Sequence, residues 1–340
     1  MLQADSRSLA WAGRGTADLV VTSPPYPMIG MWDALFSRLN ARVGRELSSG
    51  NADKAFELMH AELDPVWRGI YAALREGGIA CIVVGDATRK ADGLFRLFPN
   101  HSRILESCRL AGFHVLPGIL WRKQSNKPNK FMGSGMMPPS AYPTLEHEHI
   151  LVLRKGAVRH FSTAAERSTR RRSAFFWEER NLWFSDVWED VKGERQTAGA
   201  GSPRVRSASF PAGLARRLIC MFSLQGDTVL DPFAGSGTTC LAAAECARNS
   251  VGLELEGQLA LIARANLRGA VRGSRNFTSS RVQSHLDYVA ECERRGRNLG
   301  YVSSRYGFPV TTLQETGIEL PCASSTAESD DGTVTVDYEA

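Results

Sequence analysis

The sequence lacks the features of a membrane-spanning or secreted protein. No hydrophobic run is long enough to cross a bilayer, and the N-terminus lacks the charged-then-apolar pattern of a secretory signal. The seven cysteines are scattered, and no two of them form a C-x-x-C pair. This spacing predicts neither a disulfide framework nor a structural zinc site, and it indicates reduced thiols in the cytoplasm.

Basic residues are absent from the C-terminal part of the chain. No Lys or Arg follows Arg305, whereas seven Asp and Glu residues do, so the net charge of +5 understates how basic the preceding residues are. A basic body predicts a polyanionic partner such as nucleic acid. Residues 322–340 contain mostly Ser, Thr, Asp and Glu with few core-forming residues, which predicts a disordered tail.

Hydrophobic periodicity divides the rest of the chain into three parts and reveals no internal repeat. Apolar runs at residues 17–21 and 79–84 alternate with helical spacing, and the same rhythm returns later, with strands predicted at residues 227–231 and 250–254. Residues 156–208 lie between these parts and are irregular. Alternating strands and helices on both sides of an insert predict an α/β domain with one mostly parallel sheet.

A segment with two prolines, residues 22–26 (Thr-Ser-Pro-Pro-Tyr), directly follows the first of these predicted strands. Consecutive prolines lack two backbone donors and fix φ, so the chain leaves the sheet in a stiff, extended turn. A small hydroxyl, Ser23, precedes this turn and an aromatic ring, Tyr26, follows it. Oxygen acceptors and a ring in this arrangement are suited to hold a planar amine by its edge and its face.

A glycine-rich segment, residues 231–239, lies at a predicted strand-to-helix junction. Gly235 and Gly237 allow the backbone to approach a ligand closely, and the free N–H groups of the next helix favour an anionic group. Glu254 ends the next predicted strand about twenty residues later, where an acid can accept hydrogen bonds from ribose hydroxyls. An ordinary glycine turn and a dinucleotide site both remain open, whereas the absence of Lys after Gly237 disfavours a P-loop.

The two segments together resemble those of a known family. Residues 22–26 resemble the catalytic motif of DNA methyltransferases that act on exocyclic amines, and residues 231–239 are similar to their S-adenosylmethionine motif. The catalytic motif comes first, as in the beta-class, circularly permuted branch. The resemblance extends through most of residues 1–270 and includes residues 146–155 and 186–188. It implies a doubly wound, mostly parallel, Rossmann-like sheet and double-stranded DNA as the substrate.

The resemblance also implies a division of the chain and a cofactor. The expected parts are a catalytic half, a target-recognition region, a cofactor-binding half, a C-terminal extension and the tail, at residues 1–155, 156–208, 209–270, 271–321 and 322–340. The expected cofactor is S-adenosyl-L-methionine, without a metal. Its predicted contacts are Asp5, Asp231, Phe233, Gly235, Ser236, Gly237, Thr238 and Glu254.

The predicted catalytic residues are Ser23, Pro24, Pro25 and Tyr26. An exocyclic amine is a poor nucleophile because its lone pair is delocalised, and acceptors on its hydrogens favour a pyramidal nitrogen. The Ser23 hydroxyl and the Pro24 carbonyl are the expected acceptors, and their hydrogen bonds strengthen as positive charge develops. The target base must leave the stack, and Tyr26 is expected to stack on its face. Serine at position 23 resembles the motif of the enzymes that modify cytosine N4, so cytosine N4 is the expected target and adenine N6 is the alternative target.

Basic residues in two irregular segments are candidate DNA contacts. One group lies among aromatic residues in the expected recognition region, and the other lies in the long loop from residue 122 to 143. The candidates are Lys123, Lys127, Lys130, Arg170, Arg171 and Arg172. Both groups have an alternative interpretation as solvated charged surface. His147 and His149 face the same side of a strand, and we interpret them as structural because the sequence suggests no further metal ligand.

The sequence therefore predicts a site-specific DNA methyltransferase of the amine-modifying class, with a cognate restriction endonuclease as an expected partner. Two alternatives outside this class stay open. A nicotinamide-dependent dehydrogenase would use the same glycine turn and Glu254, although it has no need for residues 22–26. A catalytically silent DNA-binding module would retain the basic insert without a cofactor.

Overall fold

The computed structural model describes residues 1–8, 13–91, 93–123, 132–192 and 210–339. The strands of this part of the chain, β1 to β17, are Leu2–Gln3, Ala17–Thr22, Leu74–Val84, Ala87–Ala91, Leu94–Phe98, His114–Val115, Ile119–Arg122, Met132–Gly133, Ala141–Tyr142, His147–Arg154, Val187–Trp188, Thr228–Asp231, Asn249–Glu254, Tyr301–Val302, Pro309–Val310, Cys322–Glu328 and Val334–Glu339. The helices, α1 to α10, are Asp33–Leu39, Ala41–Ser48, Ala52–Ala73, Asn100–Leu110, Ala164–Arg172, Trp177–Trp183, Ala212–Phe222, Thr238–Glu245, Gly257–Leu267 and Ala270–Arg294. None of these described helices is long and apolar enough to cross a membrane.

One large sheet organises the fold, with strand order β1-β13-β12-β2-β3-β10-β7-β11 and β6 paired to β10. Strands β1, β13, β12, β2 and β3 are parallel to one another, which confirms the predicted mostly parallel α/β sheet. Strand β10 runs antiparallel to both β3 and β7. The carboxyl ends of β2, β3, β12 and β13 therefore meet along one side of the sheet, which we call the carboxyl edge.

Apolar cores cover both faces of the sheet. On one face Val20 of β2 packs in a cluster with Trp67 and Ile70 of α3. On the other face Leu19 of β2 packs in a cluster with Leu218 of α7. All five side chains are fully buried. A central parallel strand is covered on both sides, which is why Leu19, Val20 and Val21 of β2 are apolar without alternation.

The chain after β10 starts from the end of the sheet opposite the carboxyl edge, because β10 runs in the reverse direction. Helix α5 follows this strand, and the Arg172 carbonyl accepts a hydrogen bond from Gln225, just before β12. A third apolar cluster then joins Phe176, at the start of α6, to Val310, Ile318 and Leu320. We call this packing of α5 and α6 against α10 and residues 301–320 the insert contact.

The prediction of a disordered tail is wrong for the described residues. Strands β16 and β17 pair as an antiparallel hairpin, and the Tyr338 hydroxyl donates to the Ala244 carbonyl of α8 at 2.6 Å. Val334, Val336 and Tyr338 alternate with exposed residues along β17 and are half-buried. Composition alone missed this strand because its period-two pattern places few apolar residues on one face only.

Candidate active site

The diproline and glycine-rich segments lie side by side at the carboxyl edge. Strands β2 and β12 are parallel neighbours, with Val20 opposite Leu230. The Thr22 hydroxyl donates to Asp231 Oδ1 at 2.6 Å across a sequence separation of 209 residues. Thr239, in the first turn of α8, donates to the Val21 carbonyl at 3.3 Å. The fold thus brings together the two segments that the sequence analysis singled out.

Asp231 joins these two segments from inside the protein. Its side chain is buried, and it accepts hydrogen bonds from the Thr22 hydroxyl and from the Phe233 backbone N–H. Burial raises the pKa of Asp231 to about 6, although these hydrogen bonds oppose the shift. In this structure Asp231 fixes the start of the glycine turn to the end of β2, and its direct contact with a cofactor stays a prediction.

The two glycines of the turn have different roles. Gly235 has a φ of +52°, and no atom outside its chain neighbours lies within 4 Å of the position that a Cβ would occupy. Gly237 has a φ of +82°, and a Cβ there would lie 2.8 Å from the Ala263 Cβ of α9. Gly237 therefore permits close packing of α8 against α9, while Gly235 borders open space. Phe233, Ser236 and Thr238 are half-buried around the same turn.

Glu254 closes the glycine turn from the neighbouring strand. Its Oε2 accepts from the Gly235 N–H and its Oε1 from the Glu256 N–H, both at 2.9 Å. A carboxylate has about four acceptor positions, so each oxygen keeps capacity for a ligand hydroxyl. Asp5 follows β1, whose Gln3 lies opposite Glu254. Hydrogen bonds from Arg7 lower the pKa of Asp5, and the Asp5 side chain remains 37% exposed.

The diproline corner is packed differently from the sequence expectation. Pro24 is buried, whereas Ser23 and Pro25 are half-buried. Tyr26 is only 7% exposed, and a Cβ on Gly85 would lie 3.0 Å from its ring. Gly85, which follows β3, lets the ring enter the core. Tyr26 is therefore mostly buried in this structure, and its stacking on a base stays a prediction.

A buried series of hydrogen bonds supports the residues that follow the diproline corner. The Asn100 amide donates to the Pro27 and Gly85 carbonyls, each at 3.0 Å. Both amide hydrogens are thus used, so Asn100 Oδ1 accepts from His60 Nε2 at 3.1 Å. His60 Nδ1 has no hydrogen-bond partner, and burial lowers the pKa of His60 to about 3. Sequence reasoning missed both residues because they lie on α3 and α4 outside any motif.

The arginine cluster at residues 170–172 is far from this site. Arg170 and Arg171 are exposed on α5, while Arg172 pairs with Glu319 of the insert contact at 3.6 Å. Gln225, which contacts the Arg172 backbone, precedes β12 at the end of the sheet opposite Asp231. Strands rise about 3.3 Å per residue, so the four residues of β12 alone separate these ends by roughly 10 Å. The predicted DNA contacts of Arg170, Arg171 and Arg172 stay a prediction, and they would have to be made at the end of the sheet opposite the diproline corner.

The second group of DNA candidates is only partly described. Lys123 lies at the carboxyl edge, but its Nζ donates to Glu148 Oε1 at 2.9 Å and lies 5.5 Å from the centre of the Trp121 ring. Its charge is therefore engaged within the protein. Lys127 and Lys130 lie outside the described residues.

Two further ligand-type side chains lie beside His149, which the sequence interpretation did not anticipate. His101 Nδ1 is 2.8 Å from Asp86 Oδ2, and the His101 and His149 rings stack at 3.8 Å with an interplanar angle of 15°. A metal ion bound by both imidazoles must lie in the plane of each ring, and nearly parallel stacked rings do not converge on one ion. We retain the structural interpretation of His149.

Comparison with known proteins defines the class of this chain. A family model described as DNA methylase, of the N6/N4 methyltransferase type, matches residues 17–265. The match includes both the diproline corner and the glycine turn. The chain belongs to this DNA methylase family, which confirms the family resemblance found in the sequence.

Individual relatives agree with this membership. The chain is 47% identical over 304 residues to the Type II methyltransferase M.MthZI of Methanothermobacter thermautotrophicus, across 89% of this chain and 84% of the relative. It is 50% identical over 268 residues to the Type II methyltransferase M.MjaI of Methanocaldococcus jannaschii, across 75% and 86%. Among solved structures, the DNA modification methylase TTHA0409 of Thermus thermophilus, complexed with S-adenosyl-L-methionine, superposes with a TM-score of 0.61 at 33% identity, across 79% and 92%.

Proposed function

We propose that this protein is a site-specific DNA methyltransferase that uses S-adenosyl-L-methionine to methylate the exocyclic amine of a base turned out of double-stranded DNA. Cytosine N4 is the favoured target. One observation carries the proposal: Ser23 and Gly235 stand on adjacent strand ends that the Thr22–Asp231 hydrogen bond fixes together. A hydroxyl acceptor beside an open glycine turn is the arrangement that methyl transfer to an amine requires.

The residues around the turn fit the cofactor. Gly235 borders open space, Glu254 retains acceptor capacity for ribose hydroxyls, and Asp5 is partly exposed at the adjacent strand end. When bound, S-adenosylmethionine supplies a methyl group already activated by a sulfonium. The structure of TTHA0409, a relative at 33% identity, in complex with S-adenosyl-L-methionine supports the assignment of this cofactor.

The chemistry at the corner needs acceptors and alignment. The Ser23 hydroxyl would accept a hydrogen bond from the target amine, with the Pro24 carbonyl as the second acceptor. These bonds strengthen as positive charge develops on nitrogen, so they lower the barrier more than they stabilise the bound substrate. Alignment of the reacting atoms at about 3–3.5 Å contributes a further large share of the rate.

The choice of base and the biological setting are the finer parts of the proposal. Serine at position 23, where many family members have Asp or Asn, supports cytosine N4 over adenine N6. Both relatives described above are Type II methyltransferases, which supports a role in protecting host DNA beside a restriction endonuclease with the same recognition site. The seven cysteines are all free thiols, as a cytoplasmic enzyme would have them.

Nucleoside mass spectrometry tests the proposal directly. The protein and its Ser23→Ala variant are expressed in a host that lacks DNA amine methylation, and the DNA is digested to nucleosides. We expect N4-methylcytosine with the wild type and a background level with the variant. N6-methyladenine would move the target to adenine, and unmodified DNA would refute methyl transfer. Calorimetry with S-adenosylmethionine and with NAD then separates the methyltransferase from a dehydrogenase.

A further inference from the structure

Glu148 lies at the centre of a hydrogen-bond chain that reaches the diproline corner. Its Oε1 accepts from Lys123 Nζ at 2.9 Å, and its Oε2 accepts from the Tyr26 hydroxyl at 3.0 Å. The Tyr26 oxygen lies 2.9 Å from Ser23 Oγ. The Glu148 side chain is 14% exposed and belongs to β10, which pairs with β3 next to the corner. The chain thus runs from Lys123 through Glu148 and Tyr26 to Ser23.

The single proton of the Tyr26 hydroxyl must point toward Glu148. A carboxylate is a stronger acceptor than a neutral oxygen, and the Val83 carbonyl is more distant at 3.4 Å. If the proton pointed toward Ser23, the oxygens of Tyr26 and Glu148 would face each other at 3.0 Å without a hydrogen between them. Burial, reinforced by the Glu148 charge, raises the pKa of Tyr26 well above its usual value, so this proton is retained.

The direction of this bond determines the direction of the next one. Because the Tyr26 hydroxyl donates its proton in the hydrogen bond to Glu148, its oxygen can only accept in the contact with Ser23. The Ser23 hydroxyl therefore donates to Tyr26. The lone pairs of Ser23 Oγ are then left to accept. An exocyclic amine presents hydrogens, so a Ser23 that accepts is complementary to it. A Ser23 that accepted from Tyr26 would instead direct its own hydrogen toward the amine.

Lys123 fixes the direction of the hydrogen bond at the other end of the hydrogen-bond chain. An ammonium group has no acceptor, so Glu148 Oε1 must accept from it. A carboxylate satisfies both Lys123 and Tyr26 because each of its oxygens accepts. An amide at the same position cannot do so, since it has only one acceptor oxygen.

We propose that Glu148 is a positioning residue that, together with Lys123 and through Tyr26, orients the Ser23 hydroxyl as an acceptor for the target amine. This inference rests on the proposed function and gives the buried Tyr26 a role other than stacking. It also replaces the predicted phosphate contact of Lys123 with a role inside the site.

The first test is Glu148→Gln. Single-turnover methyl transfer is measured with tritiated S-adenosylmethionine and genomic DNA from a bacterial strain without DNA methyltransferases. The amide should place its oxygen toward Lys123 and its NH₂ toward Tyr26, which reverses the chain. We expect a rate about 10²-fold lower, with a calorimetric Kd for S-adenosylmethionine within about twofold of the wild type. A wild-type rate would overturn the proposal.

The second test is rescue. In the double variant Lys123→Met/Glu148→Gln the ammonium is gone, so the amide can turn its oxygen back toward Tyr26. We expect about tenfold recovery relative to Glu148→Gln alone, whereas Lys123→Met alone should lower the rate about threefold, because it removes one of the two donors that orient Glu148. A residue with a merely structural role would show additive losses in the double variant, and that result would overturn the proposal.

Matched controls keep the result interpretable. Glu146→Gln removes an exposed carboxylate two residues away, paired with Arg122, and should leave the rate unchanged. Tyr26→Phe keeps the ring but breaks the hydrogen-bond chain, so it should slow methyl transfer even if Glu148→Gln does not fold. Full activity of Tyr26→Phe would refute the proposed role of this hydrogen-bond chain. Failure of the wild type to methylate any DNA would refute the proposed function itself.

Discussion

The carboxyl edge and the insert contact both contain charged side chains, but they use them differently. At the insert contact Arg281 donates to both oxygens of the buried Glu179, at 2.6 and 2.7 Å. His285 lies between Glu178 and the Pro309 carbonyl, with both ring nitrogens in hydrogen bonds. At the carboxyl edge, by contrast, Glu254 keeps unused acceptors beside open space. The Arg281–Glu179 pair, in which both carboxylate oxygens are bonded, holds the fold together, whereas the remaining acceptor capacity of Glu254 is what the proposed cofactor site requires.

The largest expected effect is that of Ser23→Ala at the carboxyl edge. Loss of the hydroxyl acceptor should lower kcat for DNA methylation by about 10³-fold, because the hydrogen bond to the amine strengthens in the transition state. The Kd for S-adenosylmethionine, measured by calorimetry, should stay within about twofold. Ser48→Ala on the exposed face of α2 is the control. Parallel losses of turnover and cofactor affinity would instead indicate misfolding.

Arg281→Met probes the other region. The substitution leaves Glu179 buried without its partner, so the free energy of unfolding should fall by about 3 kcal/mol in a urea titration. Cofactor affinity of the folded variant should not change. Arg268→Met, which removes an exposed partner of Glu328, should cost less than about 1 kcal/mol. A small loss for Arg281→Met would contradict a structural role for the pair.

Glu254→Ala tests whether the unused acceptors bind the cofactor. Removal of a charged acceptor should raise the Kd for S-adenosylmethionine about 30-fold, as measured by calorimetry. Glu256→Ala removes the same charge from a neighbouring exposed position that pairs with Arg38, and it should have little effect. Unchanged affinity in Glu254→Ala would remove this residue from the site.

The two regions should respond to pH with opposite signs. His60 has a folded-state pKa of about 3, below the unfolded value of 6.5, so its contribution to stability is present above pH 6.5 and declines as the pH falls. Burial alone would lower the pKa of His285, but its hydrogen bonds raise it, so its contribution is full below pH 6.5 and declines as the pH rises.

Unfolding titrations at several pH values measure this contrast. From pH 7 to pH 5, His60→Gln should lose about 2 kcal/mol less stability than the wild type. His285→Gln should flatten the decline of stability above pH 6.5 instead. Identical pH profiles for the two variants would show that the regions do not differ in this respect.

The smallest effect is expected for Arg170→Ala/Arg171→Ala. Both side chains are exposed at the end of the sheet away from Ser23, so the Kd for a fluorescent DNA duplex should change by less than about twofold in anisotropy titrations at fixed ionic strength. Loss of affinity with a shallower salt dependence would show that DNA extends to the insert contact.

Much of the site could be predicted because its signals are local. The diproline turn, the glycine turn and Glu254 each follow a recognisable strand, and parallel strands bring their carboxyl ends together. The role of Glu148 depends on the pairing of β10 with β3, and the burial of Tyr26 depends on Gly85. Such contacts between distant segments leave no pattern in a single sequence.

The position of the arginine cluster, at the end of the sheet opposite the carboxyl edge, has one physical cause. Strand β10 is antiparallel, so the chain that follows it leaves from the far end of the sheet. If β10 were parallel to β3, the chain that follows it would instead leave from the carboxyl edge. The direction of a single strand therefore decided which basic residues lie near the chemistry.

The hydrogen bond from Thr22 to Asp231 joins two strand ends that are 209 residues apart in the sequence. The alignment of the two motifs is thus independent of which one is synthesised first. The geometry of the pocket therefore depends on the contact between the two strand ends and not on the order in which the chain supplies them.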